Sequence, residues 1–179
     1  MANTAYNLPS PLQNIPVEFN KPEYFGFTQW LYSVYTRITN GIKLSIDKNG
    51  TAQSITDNTS TKLTWATTNL VDTVGGWNST NNRYIVQIEG TYFFTAVASL
   101  AGAISGGKLL RISLFKNGVE INAFETTATT TTNTTAAISA YITCSPRDYI
   151  EVYVKHTVGG ATNITGTSTI TYFQGHRIN

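Results

Sequence analysis

Between Asn82 and Gly118 the chain reads NRYIVQIEGTYFFTAVASL, then a glycine-broken link AGAISGGK, then LLRISLFKNG. Apolar and polar residues alternate through this stretch with a period of two. That is the spacing of a half-buried strand, and an amphipathic helix would show a period near 3.6 instead. Tyr84, Val86 and Ile88 share one face, with Gln87 and Glu89 on the other. Gly90 marks a break at which the chain is expected to turn sharply, making the runs on either side an antiparallel strand pair. Tyr92, Phe94, Ala96 and Ala98 then continue one face, and Leu110, Ile112 and Leu114 line a third strand. That strand stops at Lys116-Asn117-Gly118, where Asn-Gly is a strong hairpin signal.

These runs also resemble a known family. The aromatic strand Gly90-Thr91-Tyr92-Phe93-Phe94, followed by Leu110-Arg111-Ile112-Ser113-Leu114-Phe115-Lys116-Asn117-Gly118, is similar to the globular head of complement C1q, a branch of the tumour-necrosis-factor-like jelly rolls. The segment Asn69 to Trp77, with Asp72 and Gly75-Gly76, resembles the family's approach to that strand. Asp148-Tyr149-Ile150-Glu151-Val152 resembles its penultimate strand, and Thr169 to Gly175, with Phe173-Gln174-Gly175, resembles its closing Phe-x-Gly. The likeness spans residues 50 to 178. Ser145-Pro146-Arg147-Asp148 departs from it, because family members usually place a Gly before the Asp.

The resemblance implies an all-β, C1q/TNF-like antiparallel jelly-roll sandwich of about ten strands, and a homotrimer packed round a three-fold axis. Phe93, Phe115, Tyr149 and Tyr153 are the candidate trimer interface, since a monomer would leave these alternate-face aromatics in water. The expected organisation is an N-terminal extended arm with one short helix at 1–45, then the jelly roll at 46–179.

Composition excludes several function classes. Only 12% of the 179 residues are charged, against a usual figure of about 25%, and the net charge is +2. Neither nucleic acid nor an anionic membrane surface is indicated as a partner. No apolar run nears the roughly 18 residues that a membrane-spanning helix needs. The single cysteine, Cys144, cannot form an intrachain disulfide. The start, MANTAYNLPSPLQ, lacks the basic beginning and apolar core of a signal peptide, so export by the usual route is not expected. A secreted-type fold without disulfides points to a virus particle.

Four of the five prolines, at 9, 11, 16 and 22, mark residues 1–26 as extended chain. Phe19, Tyr24 and Phe25 beside Leu12, Ile15 and Val17 indicate an arm that lies on another surface. A helix is expected over 29–39, with Thr28 as its N-cap, a staple between Phe27 and Tyr32, and Asn40-Gly41 as its stop. Trp30, Leu31, Val34, Tyr35 and Ile38 share one broad face. An isolated helix of that length is marginal in water, so it needs copies of itself about a three-fold, a groove on another protein, or its own β domain. The pattern Gly26-Phe27-Thr28-Gln29-Trp30-Leu31-Tyr32 resembles the anchoring segment of phage fibre and spike proteins. Phe27, Trp30, Leu31, Val34, Tyr35 and Ile38 are therefore the candidate virion anchor.

Other motifs reduce to structure. Asp47-Lys48-Asn49-Gly50 begins like a calcium loop but lacks the later ligands, so a hairpin turn is expected. Gly102 to Lys108 matches the first seven positions of a P-loop, but Leu109 follows where Ser or Thr is required, and a strand where a helix is required. His156 and His176 are expected at strand ends as surface residues, with no ligand set for zinc. The sequons at Asn58, Asn78, Asn133 and Asn163 and the threonine tract 126–135 carry no glycan in a protein that is not exported. The tract is expected to be an edge strand or an exposed loop.

No nucleophile elbow and no carboxylate pair in an obvious cleft is evident, so neither an enzyme nor any cofactor or metal is expected. Gly159, Gly160, Thr162 and Asn163 form the candidate receptor loop at an exposed tip. The reading is a bacteriophage virion protein, a trimeric tail or head fibre or spike. Its residues 1–40 would anchor it to capsid, portal or tail, and its heads would contact a host-surface glycan or protein. The alternatives are a capsid-decorating cement protein and a secreted C1q/TNF-like ligand.

Overall fold

The computed structural model describes residue 31, residues 41–128 and residues 132–178, without the side chains of 132 and 133. The expected arm at 1–26 and nearly all of the helix at 29–39 lie outside the described residues. Two units are distinguished, 1–40 and 41–179, so the β unit begins at Gly41 rather than at residue 46.

Alternation becomes sheet. The described residues form thirteen strands: β1 Lys43–Asp47, β2 Gln53–Ile55, β3 Thr61–Lys62, β4 Ala66–Asp72, β5 Trp77–Asn78, β6 Arg83–Ile85, β7 Gly90–Ile104, β8 Leu109–Lys116, β9 Val119–Thr127, β10 Thr132–Cys144, β11 Tyr149–His156, β12 Thr162–Ile164 and β13 Tyr172–Arg177. They make two antiparallel sheets. A seven-stranded sheet runs β2-β12-β7-β13-β1-β4, with β10 on the free side of β7. A six-stranded sheet runs β5-β6-β11-β8-β9, with β3 also on β11. The expected all-β sandwich is what the chain forms. The count exceeds ten because five strands, β2, β3, β5, β6 and β12, are only two or three residues long.

The faces assigned from alternation hold where strands are long. Tyr92, Phe94, Ala96 and Ala98 of β7 and Leu110, Ile112 and Leu114 of β8 are all buried between the sheets. Phe94 stacks on Tyr92 and Phe173, with centroids 5.7 Å apart in each case, and meets the edge of Tyr84 at 6.0 Å. Such contacts add about 0.5–1.5 kcal/mol each beyond area burial. Gly175 pairs with Phe94 across the sheet. A Cβ there would run into the Phe94 ring, which is why the closing strand carries Phe-x-Gly.

Four expectations are corrected. The runs either side of Gly90 are not a pair, because β6 and β7 belong to opposite sheets and residues 86–89 carry the chain across. Asp47 to Gly50 is a tight turn, with Thr51 N–H donating to Lys48 O at 2.9 Å and positive φ at Asn49 and Gly50. It is not a hairpin, since β1 pairs with β13 and β4 while β2 pairs with β12. The closing strand begins at Tyr172 rather than at Thr169. His156 is fully buried rather than a surface residue, and it lies in the sheet opposite to His176.

The irregular turn at 145–148 now has a form. Asp148 N–H donates to Ser145 O at 3.1 Å, Pro146 takes the second position, and Arg147 has φ of 77°. That is the pattern of a type II turn, whose third position favours Gly because it needs positive φ. Arg147 stands there instead. The turn is held by the Asp148 carboxylate, which accepts from Ser145 N–H at 2.8 Å, Asn117 Nδ2 at 2.7 Å and Lys116 Nζ at 2.8 Å. Lys116, then Asn117 and Ser145, hold the Asp148 carboxyl down to about 2.

Candidate functional site

The two sheets turn very different faces outward. On the seven-stranded sheet, alternation leaves Phe93, Thr95 and Val97 of β7, Tyr141 and Ser139 of β10, His176 and Gln174 of β13, and Lys43 and Ser45 of β1 pointing away from the core. Phe93 rests between Tyr141, at 5.1 Å, and His176, at 5.6 Å. Tyr141 is 72% exposed, and Val71, opposite Ser45, is also exposed. An apolar groove of about 330 Å³ runs past Leu44, Val71, Phe93 and His176. No ion pair crosses this face among the described residues.

A second apolar strip lies at the edge. In β9, the last strand of its sheet, Val119 is 64% and Phe124 49% exposed, with Ile121 exposed between them. Phe124 sits opposite core-facing Ile112. It projects from the inner side of the sheet where the sandwich offers no cover.

The outer face of the six-stranded sheet is charged and paired. Phe115 and Tyr153 lie 4.2 Å apart, and Arg83 stands 4.2 Å over Tyr149. Lys62 bonds Glu151 at 2.9 Å, and Glu151 is only 5% exposed. The Arg111 guanidinium holds two carboxylates, Glu125 at 2.6 Å and Glu120, and its Nε donates to Ser113 Oγ. Glu120 and Glu125 are five residues apart, an odd spacing that places side chains on opposite faces of a regular strand. A bulge reverses this: Leu114 pairs with Asn122 but Phe115 pairs with Glu120, so one extra residue of β9 is absorbed and both carboxylates face outward. The carboxylate pair that alternation did not reveal is made by this irregularity. Ser60, Leu109, Arg111, Phe115, Glu120, Glu125, Lys155 and Thr157 line an open groove of about 470 Å³ there.

The expected interface residues are thus divided. Phe93 lies on the seven-stranded sheet, while Phe115, Tyr149 and Tyr153 lie on the six-stranded one. Of the candidate anchor, Leu31 is half-buried and helical. Phe27, Trp30, Val34, Tyr35 and Ile38 lie outside the described residues. In the candidate receptor loop, Gly159 and Gly160 are exposed, whereas Thr162 and Asn163 belong to β12 and pair with Ile55 and Ser54. The tip is tied down: Asp57 accepts from Gly159 N–H at 2.8 Å, and His156 Nε2 donates to Ile55 O at 3.0 Å.

Two buried polar groups have structural explanations. Lys48 is buried, and its amine donates to Thr64 O at 2.8 Å, Gln53 Oε1 at 3.1 Å and Thr64 Oγ1 at 3.2 Å. Burial lowers it to about 8. Cys144 is free and buried, and burial pushes its thiol up to about 11, which makes it a poor nucleophile. Residues 102–108 are the end of β7 and a turn into β8. The helix N-terminus that a phosphate-binding loop needs is not there.

No protein-family model matches the chain, and no curated protein sequence does. Among solved structures it is similar to Eiger TNF from S. frugiperda, with a TM-score of 0.56 and 9% identity, covering 78% of this chain and 93% of that one. It is also similar to murine APRIL at pH 5.0, with a TM-score of 0.57 and 10% identity, covering 77% of this chain and 99% of that one. The fold is a TNF-like jelly roll. At this identity the likeness extends to the fold alone, and function has to be argued from the surfaces of this chain.

Proposed function

We propose that the chain is a non-enzymatic, homotrimeric head of a bacteriophage virion appendage, a tail or head fibre or spike, that takes part in host attachment. The observation that carries the self-association is the pair of unlike apolar surfaces on one protomer. One is the Phe93–Tyr141–Val71 face, and the other is the Val119–Ile121–Phe124 edge. Seating the edge of one copy on the face of the next is a head-to-tail contact, which closes into a ring when the rotation allows. A ring of three copies suits the jelly roll and covers both strips. In this arrangement Phe93 is an interface residue, and Phe115, Tyr149 and Tyr153 remain on the outside.

Attachment to the particle rests on the anchor-like pattern Gly26 to Tyr32 and the proline-bearing arm before it. Cys144 is the sole cysteine, so no disulfide forms within the chain. Three heads on one stalk would offset weak single contacts with a host surface through multivalency. Deleting residues 1–40 tests the assignment. The shortened protein is expected to stay trimeric but to be missing from purified particles; incorporation at the normal level would refute the anchor.

A further inference from the structure

We propose that the groove on the outer face of the six-stranded sheet, between Phe115, Arg111, Glu120, Glu125 and Lys155, binds a neutral hexose-containing saccharide. The inference rests on the reading of the head as a binding module and is independent of what the head is attached to.

Charge selects the ligand class. Arg111 and Lys155 face Glu120 and Glu125, two charges of each sign, and the groove is balanced. The guanidinium is already committed to both carboxylates and to Ser113, so it is not free to grip a phosphate, sulfate or sialic acid. Arg111 offsets one of the two carboxylate charges and the nearby Lys155 offsets the other, so the groove as a whole carries no net charge to attract a cation. What remains is hydrogen-bonding capacity. Each Glu uses only Oε1 on Arg111, and no bond occupies the Oε2 atoms, the Lys155 amine or the Ser60 hydroxyl among the described residues. Acceptors and donors therefore line one groove in mixed order, as a polyhydroxylated ligand requires.

The wall is apolar in the right place. Phe115 is braced by Tyr153 at 4.2 Å and lines the groove. An aromatic face carries negative potential and attracts the polarised C–H bonds of a sugar ring. At about 470 Å³ the groove falls in the range of small-ligand sites. Arg111 fixes both carboxylates before any ligand arrives, which lowers the ordering cost of binding. The bulge in β9 is what brings them to one side. Because one guanidinium holds both carboxylates, neither is set apart as the proton donor that glycoside cleavage demands. The groove holds sugar without hydrolysing it.

Calorimetry and saturation-transfer NMR on the full chain test this with lactose, maltose, N-acetyllactosamine, mannobiose and 3′-sialyllactose. At least one neutral sugar should bind, about tenfold or more tighter than its sialylated counterpart. Glu125→Gln and Phe115→Leu should each weaken it about tenfold, while Ser79→Ala, at an exposed turn outside the groove, leaves it unchanged. Glu125 is exposed, so the Glu125→Gln protein should fold even if Phe115→Leu does not, and its melting curve checks this. Arms with the same terminal sugar on lipopolysaccharide or on a glycoprotein distinguish the natural source. Failure of all the neutral sugars, preference for the sialylated one, or binding that survives Glu125→Gln in the folded protein would overturn the proposal. None of these results bears on particle attachment, which the deletion of residues 1–40 tests separately.

Discussion

The two outer faces of the sandwich are made by the same alternation, yet they are finished differently. On the six-stranded sheet most large groups have a partner in their own chain: Glu151 has Lys62, Glu120 and Glu125 have Arg111, Tyr149 has Arg83, and Phe115 has Tyr153. On the seven-stranded sheet Tyr141 and Val71 stand in solvent, with Phe93 beside the tyrosine and His176 on the other side of Phe93. A face completed within the chain is suited to water and to small ligands. A face left incomplete is suited to another copy, and exposed apolar patches of this kind mark interaction surfaces.

The largest expected effect breaks that contrast directly. Tyr141→Glu, or Phe124→Glu on the β9 edge, should raise the trimer dissociation constant by at least about 100-fold, roughly 2.8 kcal/mol, measured by sedimentation across a dilution series. Lys155→Glu, a larger charge change on the other face, should leave assembly intact. Equal effects from all three would mean that the faces do not differ in role.

Beneath the incomplete face, Gly175→Ala sharpens the comparison by testing the packing that supports it. The added methyl meets the Phe94 ring, and overpacking of this kind costs about 1–3 kcal/mol, visible as a lowered melting temperature. A matched Gly160→Ala, where nothing lies within 4 Å, should change it little.

At the end of the six-stranded sheet, Asp148 supplies a pH test. Its carboxyl is held down to about 2 in the folded chain, against about 3.9 when unfolded. The folded state therefore binds fewer protons in this interval, and its stabilisation is complete above pH 4 and is lost as pH falls through about 2. Asp148→Asn should flatten that part of the acid melting profile; an unchanged slope would show that the Lys116 contact is idle. The smallest effect concerns the neighbouring turn. Arg147→Gly should stabilise the fold by about 1 kcal/mol, because a side chain at φ of 77° carries a steric cost that Gly lacks.

Much of the fold was legible because long strands announce themselves. Tyr92 to Ala98 and Leu110 to Leu114 show clean alternation, and Asn117-Gly118 marks its hairpin; each is where the sequence places it. Partnership was not legible. Nothing in the local pattern says that the runs flanking Gly90 separate into opposite sheets, because a hairpin and a sheet-to-sheet crossing both need a break after an amphipathic run. The turn at Lys48 hid a buried amine for a similar reason: charged residues at turns are ordinarily solvated, and Gln53 with the more distant Thr64 gives this one its acceptors.

The candidate surfaces were only partly legible. Phe93, Phe115, Tyr149 and Tyr153 all read as alternate-face aromatics, but alternation cannot say which sheet a strand joins. Glu120 and Glu125 were hidden by a bulge that inverts the parity from which faces are inferred. Arg147, by contrast, was visible as a departure from the family pattern before its positive φ explained why a Gly usually stands there.

The most direct test is the mass of this chain in solution. Sedimentation equilibrium at micromolar concentration should give three times the chain mass of 19.6 kDa. A species of 19.6 kDa that Tyr141→Glu and Phe124→Glu leave unaltered would show that the uncovered face and edge do not meet between copies.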